Sequence, residues 1–162
     1  MGTKSYRKEP NMGIELDDVV VADSVELGAD VSDWREAVKR AGSLLVRVGA
    51  AEERYVEAMI RTVDELGPYA VLAPGIAIPH ARPEDGAIDV GIGVLTLSTP
   101  VEFGAGDNDP VDLVFPFATP DAKKHTAALQ ALANFLEEEE NVTRLRNATT
   151  TDEVVQLIKE SS

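Results

Sequence analysis

Two spacings of hydrophobic and polar residues divide this chain into three parts. From Trp34 onward, apolar side chains recur at Ala37, Val38, Ala41, Leu44, Leu45 and Val48, the three- and four-residue steps of one helical face. Asp33 stands just before the run and Glu36 three residues later, the pattern of a helix start whose side chains cap each other's backbone. A second helix is expected over about Glu52–Leu66, with Tyr55, Val56, Met59, Ile60 and Val63 on one side. Gly67 and Pro68 end it, since proline cannot continue a helix. Ahead of both, Val19–Val21 and Val25–Leu27 read as short extended pieces.

The middle third changes period. Tyr69–Leu72, Ile76–Ile78, Ile92–Leu97 and Leu113–Phe117 are short runs rich in Val, Ile and Phe, fenced by Gly, Pro and Asp. They are expected as strands, several buried on both faces. Helical spacing returns over Lys123–Leu136, roughly Glu138–Leu145, and from Thr151 or Asp152 to Lys159. Helices, then strands, then helices around one core predict an α/β fold. The sheet should be mixed, because short turn-rich links cannot join parallel strands.

At 162 residues the chain can bury one proper core and is short for two ordinary domains. A single domain is expected over 12–162, with residues 1–11 a disordered leader or cloning remnant and Met12 a second start. Lys4, Arg7 and Lys8 are followed by no apolar segment, so no signal peptide is expected. No apolar run approaches the roughly 20 residues of a membrane span. A cytoplasmic protein without membrane insertion is the expectation. The absence of cysteine removes disulfides, a thiol nucleophile and thiolate zinc sites. With 29 acidic against 15 basic residues the formal charge is −14, which argues against nucleic acid as a partner. Glu137–Glu140 reads as a solvated helix start.

Candidate chemistry gathers around the two histidines. In PGIAIPHARPEDG, residues 74–86, Pro79 fixes its own φ and pushes Ile78 toward extended backbone, so the chain turns at His80. Pro83 and Gly86 hold the exit. His80 is thus either an ordinary loop histidine or an imidazole mounted at the end of a buried strand, where open α/β sheets place ligands. A neutral imidazole there is a competent nucleophile. His125 follows Pro120-Asp121 in or just after the first turn of an expected helix, beside Lys123 and Lys124. It is either a solvent-facing residue or part of an anion site built from helix N–H groups. Two histidines 45 residues apart match no local metal-ligand spacing. Asp107–Asp112 fails as a calcium loop, because Val111 stands at a ligand position and Ala118 where the bidentate Glu belongs; it reads as a turn before a strand. No GxSxG elbow frames Ser43 or Ser98. Arg61 and Arg82 are surface cations or anion-binding supports, Arg82 lying two residues from His80.

The stretch GPYAVLAPGIAIPHARPEDGAIDVGIGVLTLSTPVEFGAGDNDPVDLVFPFATPDAKKH resembles the enzyme IIA domain of the sugar phosphotransferase system, mannitol/fructose type. Within it, GPY, the APG-A-PH-RPE-G pattern and NDPVD are most similar to the ascorbate-type subgroup. The resemblance runs from about Leu27 to Lys159. It implies a mixed, about five-stranded sheet flanked by helices on both sides. It also implies a phosphotransferase that needs no cofactor or metal. The phosphoryl group would come from the histidine phosphocarrier protein and pass to a cysteine of enzyme IIB, for sugar uptake. His80 matches the family's phosphorylated histidine, and His125 its second active-site histidine. Mannitol-type members carry an arginine on the helix before the PH turn; Thr62 falls nearest that place, leaving Arg61 and Arg82 as candidates for its role. Two rival readings are a regulatory enzyme IIA-like protein, acting by phosphorylation-dependent partner binding, and a metal hydrolase using both histidines as ligands.

Overall fold

The structure, a computed structural model, describes residues 13–161; the expected leader over 1–11 lies outside the described residues. In chain order the elements are α1 (Leu16–Val19), β1 (Val25–Ala29), α2 (Trp34–Arg47), α3 (Glu53–Leu66), β2 (Val71–Ala73) and β3 (Ile76–Ala77). They continue with β4 (Gly91–Ile92), β5 (Val94–Val101), β6 (Val111–Val114), β7 (Phe117–Ala118), α4 (Ala122–Leu136), α5 (Glu139–Asn147) and α6 (Thr151–Ser161). Five strands form one sheet in the order β1-β5-β6-β3-β2, and β4 pairs with β7 in a separate ribbon. The sheet is mixed as expected: β1–β5 and β3–β6 are parallel, β5–β6 and β2–β3 antiparallel.

Alternation along the strands sorts side chains into two cores, one on each face of the sheet. Ala77, Leu95, Leu97 and Val114 join Ala41, Leu45, Tyr55, Met59 and Val63 of α2 and α3. Ile76, Ile78, Val94 and Leu113 join Ala131, Leu132, Phe135, Leu145, Val154 and Leu157 of α4, α5 and α6. Strand β1 changes face at a bulge. Its register with β5 shifts between Glu26 and Ala29, and Gly28 takes φ +68°, a left-handed value natural to glycine.

Local signals account for most element ends. The Asp33 carboxylate accepts the Glu36 N–H at 2.9 Å, so the predicted cap is present. Glu36 itself reaches back to Ser32, accepting its N–H at 2.8 Å and its hydroxyl at 2.9 Å, one residue beyond the pattern read from sequence. At the end of α3, Gly67 takes φ +79° and its N–H bonds the Val63 carbonyl, with Pro68 following. Glu137–Glu140 spans the break between α4 and α5 and is exposed throughout.

Three expectations are corrected. Val19–Val21 is extended only in part: Val19 closes α1, and Val20 and Val21 have extended backbone but belong to no strand, the Val20 N–H bonding Leu16 O at 2.8 Å. Leu16 and Val20, four apart, are buried together against the α4–α6 core, and that burial outweighs the β preference of a valine run. The Tyr69 run opens with a 3-10 turn over Pro68–Ala70, and only Val71–Ala73 is strand. The runs at 92–97 and 113–117 each divide between two sheets. Pro116 has no N–H, and at Gly93 a Cβ would stand 3.0 Å from Pro116 Cγ and 3.1 Å from Ser24 O. The Gly93 N–H instead bonds Pro116 O at 2.9 Å.

Candidate active site

The backbone delivers His80 from the sheet. Ile78 N–H bonds Ala70 O, Phe115 N–H bonds Ala77 O, and Phe117 N–H bonds Pro79 O at 3.3 Å. Pairing therefore persists through Pro79, and His80 is the first residue to leave it. Beyond it, Pro83–Asp85 form one 3-10 turn, closed by Asp85 Oδ2 accepting the Arg82 N–H. Gly86 at φ +124° lets the chain pass close to α3, where its carbonyl accepts the Glu52 N–H at 2.8 Å. The stiff mount inferred from the prolines is real, and it is bolted to the start of α3.

His125 arrives from the other core. Asp121 caps α4, its carboxylate accepting the Lys124 N–H at 2.8 Å, and the His125 N–H makes the helix's first-turn bond to Asp121 O. His125 thus follows the first turn, as expected. The two imidazoles have centroids 5.1 Å apart, and Phe117 packs against both, at 4.5 Å from His80 and 5.2 Å from His125.

The His80 ring has a defined polarity. Its Nδ1 lies 2.9 Å from the Ile78 carbonyl oxygen. A carbonyl only accepts, so Nδ1 carries the proton and Nε2 keeps the lone pair. Burial holds the His80 pKa below its ordinary value; the bond to Ile78 works against that shift and His125 adds to it. The neutral, nucleophilic ring is the form this environment favours.

Both histidines line one open cleft of about 950 Å³, together with Arg61, Thr62, Tyr69, Arg82, Glu84 and Asp121. The cleft contains His80, His125, Arg61 and Arg82, while the exposed Lys123 and Lys124 are not part of its lining. Among the described residues, Arg35, Arg40, Arg54, Arg144 and Arg146 pair with carboxylates, and Arg47 donates to a carbonyl. The guanidinium groups of Arg61 and Arg82 alone among the described arginines lack such a partner. Thr62 adds no cation, and its hydroxyl is engaged by Ala58 O at 2.7 Å. Among the described residues no cluster of three or more His, Asp or Glu could hold a metal ion, which leaves the hydrolase reading without a ligand set.

Two tyrosines were missed from the sequence. Tyr55, buried on α3, accepts the Ala81 N–H at 3.0 Å and sets its own proton between the carbonyls of Phe117, at 2.8 Å, and Ala81, at 3.2 Å. Burial pushes its hydroxyl up to about 12, so it stays protonated. Tyr69, at the cleft rim, donates to His80 O at 3.0 Å and sets its ring edge-on to the imidazole, 5.6 Å away. The signal was a tyrosine on the apolar face of a helix, whose hydroxyl must find a partner inside.

Among the described residues no helix is long and apolar enough to cross a membrane. Residues 19–161 match the family described as phosphoenolpyruvate-dependent sugar phosphotransferase system, EIIA 2. The ascorbate-specific PTS system EIIA component of Escherichia coli (strain K12) is 43% identical over 136 residues, 83% of this chain and 88% of that protein. In structure, the chain is similar to the mannitol-specific cryptic phosphotransferase enzyme IIA CmtB from Escherichia coli. The TM-score is 0.82 at 33% identity, covering 91% of this chain and 99% of that one. It is also similar to enzyme IIAMTL in its complex with phosphorylated enzyme IIBMTL from Escherichia coli, with TM-score 0.75 and 30% identity over 86% of this chain and 96% of that one. A match over nearly all the described residues, together with the fold, makes this chain a member of the EIIA 2 family of the phosphoenolpyruvate-dependent sugar phosphotransferase system.

Proposed function

We propose that His80 is the phosphoryl acceptor of this phosphotransferase, through Nε2, and that the chain passes the group from a histidine phosphocarrier protein to a cysteine of enzyme IIB. The observation that carries this is the bond between Nδ1 and Ile78 O, which commits the one available lone pair of a buried, neutral imidazole to Nε2. In the first step Nε2 attacks phosphorus; the P–N bond of the donor phosphohistidine breaks as the P–Nε2 bond forms, and the donor ring recovers its lone pair. The His80 ring keeps its Nδ1 proton, so the positive charge it gains is shared with the Ile78 carbonyl. In the second, a thiolate attacks phosphorus and the electron pair returns to Nε2. No proton need move at His80 in either direction.

Transferring oxygens carry charge that grows more exposed between donor and acceptor, so fixed cations and N–H donors speed the step. His125, the start of α4, and the unpaired Arg61 and Arg82 are suited to this. Enzyme IIB as acceptor is supported by the likeness to a IIA protein solved in complex with a phosphorylated IIB. A sugar acid such as ascorbate as the transported substrate is supported by the 43% identity to an ascorbate-specific component. On this reading the protein is a single domain over 12–162 that works in the cytoplasm, where phosphoenolpyruvate is made.

The test is incubation with phosphoenolpyruvate and the upstream carriers, followed by transfer to ascorbate-, mannitol- and fructose-type IIB proteins. Fast transfer to the ascorbate type alone is the expected result. Full phosphorylation with transfer to none of them would favour the regulatory reading.

A further inference from the structure

The peptide unit after His80 is held at both ends by tyrosine hydroxyls and by no backbone group. Its C=O, from His80, accepts the Tyr69 hydroxyl at 3.0 Å; its N–H, from Ala81, donates to the Tyr55 hydroxyl at 3.0 Å. The two tyrosines come from different elements. Tyr55 sits in the first turn of α3 and is 1% exposed, whereas Tyr69 belongs to the turn before β2 and is 40% exposed.

This peptide is the natural weak point of the mount. Pro79 restricts rotation before His80, and the turn at Arg82–Asp85 pins the chain after it. Between them, φ and ψ of His80 and φ of Ala81 remain soft. Rotation about φ of His80 carries its Cα–Cβ bond and the following peptide together, so holding that peptide by its C=O and N–H holds the ring. The bond from Nδ1 to Ile78 O survives only at one ring placement, so the same rotation would release the proton to either nitrogen. Phenylalanine at either position would fill the same apolar space, so what the two hydroxyls add is these bonds and, for Tyr55, its bonds to the carbonyls of Phe117 and Ala81.

We propose that Tyr55 and Tyr69 are positioning residues for phosphoryl transfer, clamping the His80–Ala81 peptide so that Nε2 is the nitrogen presented to the cleft. The proposal rests on the reading of His80 as acceptor. It assigns the tyrosines no contact with the phosphoryl group; they act through the placement of the imidazole. A displacement of about 1 Å at a reacting atom is enough to slow a step by roughly 100-fold.

The experiment uses the full chain with Tyr55→Phe and Tyr69→Phe, each with 15N-labelled histidine. Ring nitrogen shifts at pH 8 report the His80 tautomer, a melting curve reports the fold, and phosphoryl uptake from the charged carrier reports the rate. The wild-type protein should show one tautomer, protonated at Nδ1. Both variants should show a mixture of tautomers at temperatures where they remain folded, with uptake slowed about 10-fold or more. Tyr69→Phe is at the rim and keeps the test alive if Tyr55→Phe does not fold. Wild-type tautomer and rate in the folded variants would overturn the proposal. So would a slower rate with an unchanged tautomer, because placement of the ring would then not be what was lost. If the wild-type protein takes no phosphoryl group at all, the functional reading fails first, and the clamp's role falls with it.

Discussion

His80 and His125 stand with ring centroids 5.1 Å apart, one at the end of a sheet strand and the other just past the first turn of a helix in the opposite core layer. Neither residue has a neighbour in sequence that would place it there. Phe117, packed against both rings, sets the spacing from the β7 side.

The first prediction follows from the polarity of the His80 ring. Exposure to phosphoenolpyruvate and the carriers should add one phosphoryl group, labile in acid and stable in base, bonded to Nε2. Phosphorus and nitrogen NMR of the labelled protein identify the atom. A label retained in His80→Ala, or found on Nδ1, would contradict the assignment.

His125→Ala should still be phosphorylated, since the acceptor lone pair is elsewhere. Transfer in both directions should slow by roughly 10- to 1,000-fold, the loss typical of one electrostatic donor. Rapid-quench kinetics in each direction measure this, and an unchanged rate would return His125 to a bystander at a helix start.

Arg82→Ala and Arg61→Ala test the two unpaired guanidinium groups. Each should slow transfer, Arg82 more, because it extends from the stiff segment two residues beyond His80. Arg82→Lys should recover part of the loss, keeping the charge but not the planar fork. Neither alanine variant should lower the melting temperature noticeably, as neither side chain holds the fold together.

The pH profile should carry the mark of burial. The His80 pKa lies below 6.5, so the acid limb of phosphoryl uptake should fall below pH 6.5. The same shift acts on stability. As pH drops below 6.5 the unfolded chain takes a proton on this ring that the folded chain refuses, so stability falls until the folded pKa is passed and then levels off. Denaturant melts of the wild type and His80→Gln across this window should differ in slope. Parallel curves would contradict the direction given.

Gly91→Ala should destabilise the fold by roughly 1–3 kcal/mol through overpacking. An added Cβ there would collide with Ala50 Cβ, and the Ala50 carbonyl is already fixed by the N–H groups of Ile88 and Asp89. A shift of the denaturation midpoint measures it; a neutral result would mean that the 50–51 segment moves freely.

Much of this was legible in the sequence because its signals are local. Asp33 and Asp121 announce helix starts with a side chain acting three residues away, and Gly67-Pro68 and the prolines around His80 act on their own backbone. The sheet's mixed character followed from link lengths. What escaped was set by distant partners. The valines at 19–21 join no sheet because Leu16 and Val20 share a core with α4–α6. Gly93 and Pro116 hand two strands from one sheet to another only when they meet. Tyr55 looks like one more apolar-face residue until Ala81 and Phe117 are brought to its hydroxyl. The histidines could be singled out by their mounts, but their separation could not.

The cleft draws on both faces of the sheet: Arg61 comes from the α2–α3 side and His125 from the α4–α6 side. A chain in which either layer has come undone therefore loses its reactive arrangement before it loses its histidines. With His80 as the proposed acceptor, a half-folded copy would take up the phosphoryl group poorly. The proposed reactivity is thus tied to the packing of both layers.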